Sequence, residues 1–139
     1  MNAITVTTEV NASIETIWQL WNGPEHIMQW NVMSDDWHCP HAENDPKTGG
    51  RFNFVMALKD GSFSFDFAGV YTDVIANQLM SYKLDDGRRS TILFTGSSPV
   101  RITETFEPNV SMPSEDQQRA CQSVLNNFKM YAEKALVSS

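Results

Sequence analysis

Long apolar runs are missing from the sequence. No stretch approaches the roughly 20 residues that a bilayer-spanning helix needs, so no transmembrane helix is expected. Cysteine is scarce. Cys39 and Cys121 are the only two, which excludes the disulfide framework that holds many small secreted domains together. Basic residues are few as well: 10 Lys and Arg stand against 17 Asp and Glu, for a formal net charge of −7. A nucleic-acid binder needs Lys and Arg to displace counterions from phosphates. Here they are scattered, and the one adjacent pair, Arg88-Arg89, reads as part of a solvated hairpin turn. Nucleic acid is therefore a poor partner, and an anionic membrane surface is disfavoured on the same ground. The N-terminal segment has neither a positive n-region nor an apolar h-region, so no signal peptide is expected and the protein is placed in the cytoplasm.

What is present suffices for one domain spanning residues 1–139. With 139 residues, 41% of them hydrophobic, the chain is long enough to bury about 70% of its unfolded surface. It needs neither metal nor disulfide to be stable. No stretch reads as a linker, and no internal repeat or low-complexity segment is visible.

Residues 3–10 alternate, with Ile4, Val6, Thr8 and Val10 on one side, as in a half-buried strand. From Ser13 the period changes: Ile14, Ile17, Trp18 and Trp21 share one face of a short helix. Gly23 suits its end and Pro24 the first turn of a second short helix to about Gln29, followed by Trp30. Residues 31–49 are polar, with a strand expected near His38–Glu43. Gly49-Gly50 opens a β region in which Phe52, Phe54 and Met56 share a face. The Asp60-Gly61 turn reverses the chain, and Phe63, Phe65 and Phe67 share a face of the returning strand. Further strands are expected at about 69–75, 78–84, 90–96 and 99–107, with a Gly-Ser-Ser-Pro turn before the last.

Ser114 and Gln117 fit a capping box, and Glu115 and Asp116 suit the first turn of a final helix. That helix runs to about Leu136, roughly 34 Å. Cys121, Val124, Leu125, Phe128, Tyr131, Ala132 and Ala135 form its apolar stripe. A helix this long with one apolar face must lie against something broad, and the antiparallel sheet is the broad object available. The expected fold class is α+β: a curved antiparallel sheet wrapped around a long C-terminal helix, with two short helices after the first strand. Helix and curved sheet cannot touch along their whole length, so a cavity remains between them.

The order of elements resembles the START-like superfamily, also called SRPBCC, whose fold is known as the helix grip (START-like/Bet v-like). Several segments are similar, more narrowly, to the family of homologues of the activator of the ninety-kilodalton heat-shock protein's ATPase. They are the run Ala12 to Trp30 with Trp18, Pro24-Glu25-His26 and Trp30; Gly49-Gly50-Arg51-Phe52-Asn53-Phe54; Phe67-Ala68-Gly69-Val70-Tyr71; Thr103-Glu104-Thr105-Phe106-Glu107; and Leu125-Asn126-Asn127-Phe128. The resemblance covers nearly the whole chain, and the order and spacing of these segments carry it. One departure is clear: related sequences often carry Gly-Trp near the start of the long helix, where this chain has Ala120-Cys121. A Cys there enlarges or reshapes the cavity, so no relative's ligand is carried over. In the eukaryotic activator a separate N-terminal domain docks on the chaperone. This sequence begins directly with the START-like strand, which weighs against a co-chaperone role.

Ligand pockets are lined by apolar and aromatic side chains with a few placed polar groups. Strand ends facing the short helices line a cavity more readily than strand middles. On that basis Trp30, Trp37, Phe54, Phe65, Phe67, Phe94, Leu125 and Phe128 are the expected pocket residues, with Glu104 and Cys121. For any single Phe, plain core packing is the competing reading. Met33, Met56 and Met80 are gap-fillers whose flexibility also suits a pocket. Glu104 falls on the apolar face of the alternation Val100, Ile102, Glu104, Phe106. It either anchors a ligand or serves as an acid or base, or else a bulge turns it to solvent, or it pairs with an Arg such as Arg51 or Arg101.

His38-Cys39-Pro40-His41, with His26, invites a zinc reading. Adjacent strand residues point to opposite faces, however, and no second cluster completes a tetrahedral set, so no metal and no cofactor is expected. No Ser-His-Asp or Cys-His set is legible, and Cys121 reads as a buried, inert thiol. Gly49-Gly50 precedes a strand and is not a phosphate loop. The leading function is binding of a small hydrophobic or aromatic molecule, lipid-like or polyketide-like, as carrier or sensor. The alternatives are a cyclase or hydrolase with Glu104 or His38 as acid or base, and a stress-response or co-chaperone-like interaction domain whose protein partner is unknown.

Overall fold

The structure, a computed structural model, describes residues 3–97 and 99–138, with side chains described to Lys134. Ser98 of the expected turn and the Ala135 side chain lie outside the described residues. The chain runs β1 (Ile4–Val10), α1 (Ile14–Asn22), α2 (Pro24–Trp30), β2 (Trp37–Asn44), β3 (Arg51–Leu58), β4 (Ser64–Ile75), β5 (Leu79–Leu84), β6 (Arg89–Thr95), β7 (Val100–Phe106) and α3 (Ser114–Ser138). The seven strands form one antiparallel sheet in the order β1-β7-β6-β5-β4-β3-β2. The long helix α3 crosses its concave face, as the patterning predicts.

Local chemistry sets the element ends. Ser13 caps α1 by accepting a hydrogen bond from the Thr16 N–H at 3.2 Å. Gly23 both ends α1 and precedes Pro24, the first residue of α2. Trp30 belongs to α2 and ties it to α1 through its indole N–H, which donates to the Leu20 carbonyl at 3.0 Å. The two free sheet edges are managed differently. Along β1, Gln122 and Lys129 of α3 donate to the Thr7 and Glu9 carbonyls at 3.0 and 2.6 Å, so the helix covers that edge. At the other edge, β2 carries an irregularity between His38 and His41 and places Pro40 there.

Two expectations are corrected. Residues 64–67 and 69–75 belong to one 12-residue strand, β4, and Phe63 precedes it. The Ala68-Gly69 pair that interrupts the sequence pattern does not interrupt the ladder. A Cβ at Gly69 would fall on the Lys83 carbonyl, so only glycine allows β5 to approach there. The capping box at Ser114 is replaced by a different latch. The Gln117 side chain accepts from the Asn109 N–H at 2.7 Å and donates to the Asn109 and Met112 carbonyls at 2.8 and 3.0 Å. Those groups offer a matched donor and acceptors, and Gln117 fastens the β7–α3 loop with them.

The interior has one filled end. There α1, α2 and the C-terminal half of α3 pack on one another, α2 against β2 and α3 against β1, and Trp21 lies 4.8 Å from Trp30 and 4.9 Å from Phe128 between ring centroids. Phe94 sits edge-on to Trp18 and Trp21 at 5.4 and 5.7 Å. Ile17, Leu125, Phe128 and Ala132 are fully buried in this cluster.

Candidate ligand pocket

Between the N-terminal half of α3 and the concave faces of β3–β7 the interior is not filled. A cavity of about 520 Å³ remains, floored by Phe52, Tyr71, Met80, Tyr82 and Ile92 and roofed by Ala120, Cys121 and Val124. Strand register explains the floor. Phe52 pairs with Gly69, and Gly69 with Leu84; Tyr71 pairs with Tyr82, and Tyr82 with Ser90, so one cross-strand row after another points the same way. The Phe52 ring lies 5.0 Å from both Tyr71 and Tyr82 between centroids. A second depression of similar volume, around Arg51, Asp66, Asp85 and Asp86, has a charged wall instead. Its Arg51–Asp85 pair is solvent-exposed at 3.1 Å, so it lacks the apolar enclosure a small molecule needs.

Of the residues expected at the pocket, Trp30, Trp37, Phe54, Phe65, Phe67, Glu104 and Cys121 border the cavity. Phe94, Leu125 and Phe128 do not. They lie in the filled end, where the indoles of Trp18, Trp21 and Trp30 occupy the space a ligand would need. Met33, Met56 and Met80 all border the cavity. Trp37 meets Phe63 and Phe65 edge-on at 6.2 and 5.8 Å, and Phe63 remains 54% exposed. This aromatic lip stands at the tip of the β3–β4 hairpin, across from Asn109 and Met112 on the β7–α3 loop.

Glu104 sits in regular register between Val6 of β1 and Ile92 of β6, with no bulge. It is half-buried and lines the cavity. Arg51 pairs with Asp85 and Arg101 with Glu9, so neither is its partner. Burial raises the Glu104 carboxyl to about 7, and the neighbouring Tyr82 hydroxyl opposes that rise. The Cys121 thiol is pushed upward by burial and by the Glu104 charge, with Arg88 acting the other way, so it stays protonated and is a poor nucleophile. Tyr82 is raised by burial and by Glu104, and Tyr71 by burial. Tyr71 donates to Asn44 at 2.5 Å, and Asn44 in turn donates to the Asn22 carbonyl at 2.9 Å, fixing the cavity floor to α1.

Tyr71, Tyr82, Ser90 and Arg88 were not among the expected site residues. Tyr82 was within reach of the alternation Met80, Tyr82, Leu84. Arg88 was not: the Asp86 carboxylate, which its Nε meets at 2.8 Å, turns a residue of the hairpin loop toward the cavity. At the zinc candidate, Cys39 is buried and its thiol donates to the His41 carbonyl at 3.4 Å, while His38 and His41 face outward. Among the described residues no group of three or more His, Cys, Asp or Glu could hold a metal ion, and no helix is long and apolar enough to cross a membrane.

A curled antiparallel sheet closed over a C-terminal helix, with two short helices filling one end and a cavity at the other, defines a START-like protein of the SRPBCC superfamily. In that superfamily such a cavity generally binds ligands. Residues 11–132 match the family described as Activator of Hsp90 ATPase homolog 1-like protein, and the chain belongs to that family. Among solved structures, Chr148 from Cytophaga hutchinsonii shares 47% identity over 100% of this chain and 97% of that one, with a TM-score of 0.84. The AHSA1-like protein from Aeromonas hydrophila shares 38% over 96% and 95%, with a TM-score of 0.86. The protein CV1439 from Chromobacterium violaceum has the same fold at 18% identity over 96% and 99%, with a TM-score of 0.85. A search of curated proteins finds no match.

Proposed function

We propose that the domain binds one small hydrophobic or aromatic molecule between the sheet and α3, as a carrier or sensor acting in the cytoplasm. The observation that carries this reading is the cavity of about 520 Å³ with its aromatic floor, a size and lining suited to a compact organic ligand. Phe63, Phe65 and Met112 are both exposed and on the lining, and offer the molecule an apolar path inward. Trp30, Trp37, Phe54, Phe65 and Phe67 then serve as wall, and Glu104 as the polar anchor. Lipid-like and polyketide-like metabolites both fit that description.

Native mass spectrometry of freshly purified protein, with organic extraction of whatever it carries, tests the reading together with titration of N-phenyl-1-naphthylamine. A single co-purifying molecule, or saturable fluorescence enhancement at one probe per chain, is expected. Bare protein that also leaves the probe dark overturns it.

A second reading has one specific observation behind it. A carboxyl near 7 beside a tyrosine hydroxyl is a competent general acid or base at neutral pH, so a cyclase or hydrolase could use the same enclosure. Once a ligand is identified, its conversion by wild-type protein and not by Glu104→Ala would establish this reading.

A further inference from the structure

We propose that the cavity takes an organic ammonium ion, an amine whose cationic head meets Glu104 while its apolar body lies along the rings of β3–β5. This rests on the ligand-binding reading above and narrows it to a chemical class. The carboxyl group stands on the concave wall of β7, and among the described residues no Lys, Arg or His forms an ion pair with it. Arg51, Arg88 and Arg101 are each held by another carboxylate. The groups facing it from the surrounding elements are the Tyr82 hydroxyl of β5, the Cys121 thiol of α3 and, beyond Tyr82, Ser90 of β6. None is a cation. Arg88, Arg89 and Glu107 also line the cavity; Arg88, held by Asp86, acts on the Cys121 thiol, and neither arginine forms an ion pair with Glu104.

An ionised carboxylate in such a wall is costly until a positive charge meets it. A bound ammonium supplies that charge and forms a charge-assisted hydrogen bond. The surroundings suit a cation in a second way. The Tyr82 ring beside Glu104 is packed against Phe52 at 5.0 Å, Phe67 at 6.1 Å and Tyr71 at 6.4 Å between centroids, and aromatic faces attract cations. The net charge of −7 favours approach of cations from solution.

The competing ligand is neutral, a carbonyl or hydroxyl compound accepting a hydrogen bond from protonated Glu104. The two classes respond to pH in opposite ways. An amine requires the ionised acid, so its binding releases a proton and strengthens as pH rises through about 7. A carbonyl acceptor requires the protonated acid and weakens over the same range.

The test is calorimetric titration of the whole chain at pH 5.5 and pH 8 with two probes of matched shape, 2-naphthylmethylamine and 2-naphthylmethanol. At pH 8 the amine is expected to bind about tenfold tighter than the alcohol, and at pH 5.5 that preference should shrink. Glu104→Gln should erase the preference while still binding the alcohol, which also shows that the variant is folded. An alcohol bound as tightly as the amine at pH 8, or an amine preference that survives Glu104→Gln, overturns the proposal and leaves the pocket standing. If neither probe binds the wild-type chain, the ligand-binding reading falls, and this inference with it.

Discussion

An acid on the concave face of β7 costs the native state stability once it ionises. The Glu104 carboxyl has a folded value of about 7 against an ordinary 4.5. Between these values the native chain holds a proton that the unfolded chain has lost, so unfolding releases a proton and stability falls as pH rises. Above about 7 the loss is complete, on the order of 3 kcal/mol. Glu104→Gln keeps the shape and cannot ionise. We expect it to be more stable than wild type at pH 8 by about 2–3 kcal/mol, with the difference vanishing towards pH 4.5. Urea unfolding across that pH range measures this, and parallel wild-type and variant profiles would refute it. The inward side of Glu104 was legible from the alternation Val100, Ile102, Glu104. Period two also separates Arg101, three residues away, onto the other face. Arg51 is excluded by strand register alone, and register depends on hairpins that the sequence marks only by their turns.

The long helix α3 serves two environments with one stripe. Leu125, Phe128 and Ala132 meet the filled end, where they are 0% exposed; Ala120, Cys121 and Val124 roof the cavity. The heptad-like spacing showed the stripe and could not show this division. What decides it is where the tryptophans of α1 and α2 come to rest, a long-range matter of packing. The same limit explains why Phe94, Leu125 and Phe128 were expected at the pocket. Truncation should reveal the two halves. Phe128→Ala removes a ring held by Trp21 and Trp30 and is expected to cost about 3–5 kcal/mol. Val124→Ala trims a side chain that already lacks neighbours on its cavity side, and is expected to cost about 1 kcal/mol or less. Urea midpoints of the two variants decide the matter, and equal losses would mean that the cavity is collapsed in solution. The strand β4 carries a related lesson. Its Ala68-Gly69 step looked like a break because neither residue favours strands, yet the close approach of β5 is what requires the glycine.

A molecule of this size that keeps an unfilled, aromatic-walled space forgoes contacts it could have made, since a wall with nothing opposite it loses dispersion energy outright. The chain spends its large side chains unevenly: indoles crowd the filled end, while small residues, Ala120 and Cys121, roof the other. The two ends are thus built to different purposes, the filled end for stability and the open end for a guest. If so, filling the open end should remove the guest without harming the fold. Cys121→Trp places an indole into the cavity. N-phenyl-1-naphthylamine is expected to bind the variant about tenfold or more weakly. The urea midpoint should meanwhile stay within about 1 kcal/mol of wild type or rise, because new contacts form in space that was empty. Fluorescence titration and urea unfolding on the same preparation give both numbers. Weaker binding with an intact fold would locate the guest under α3. Unchanged binding would show that the probe sits outside the cavity, and with it the division of this interior into a supporting end and a receiving end would be lost.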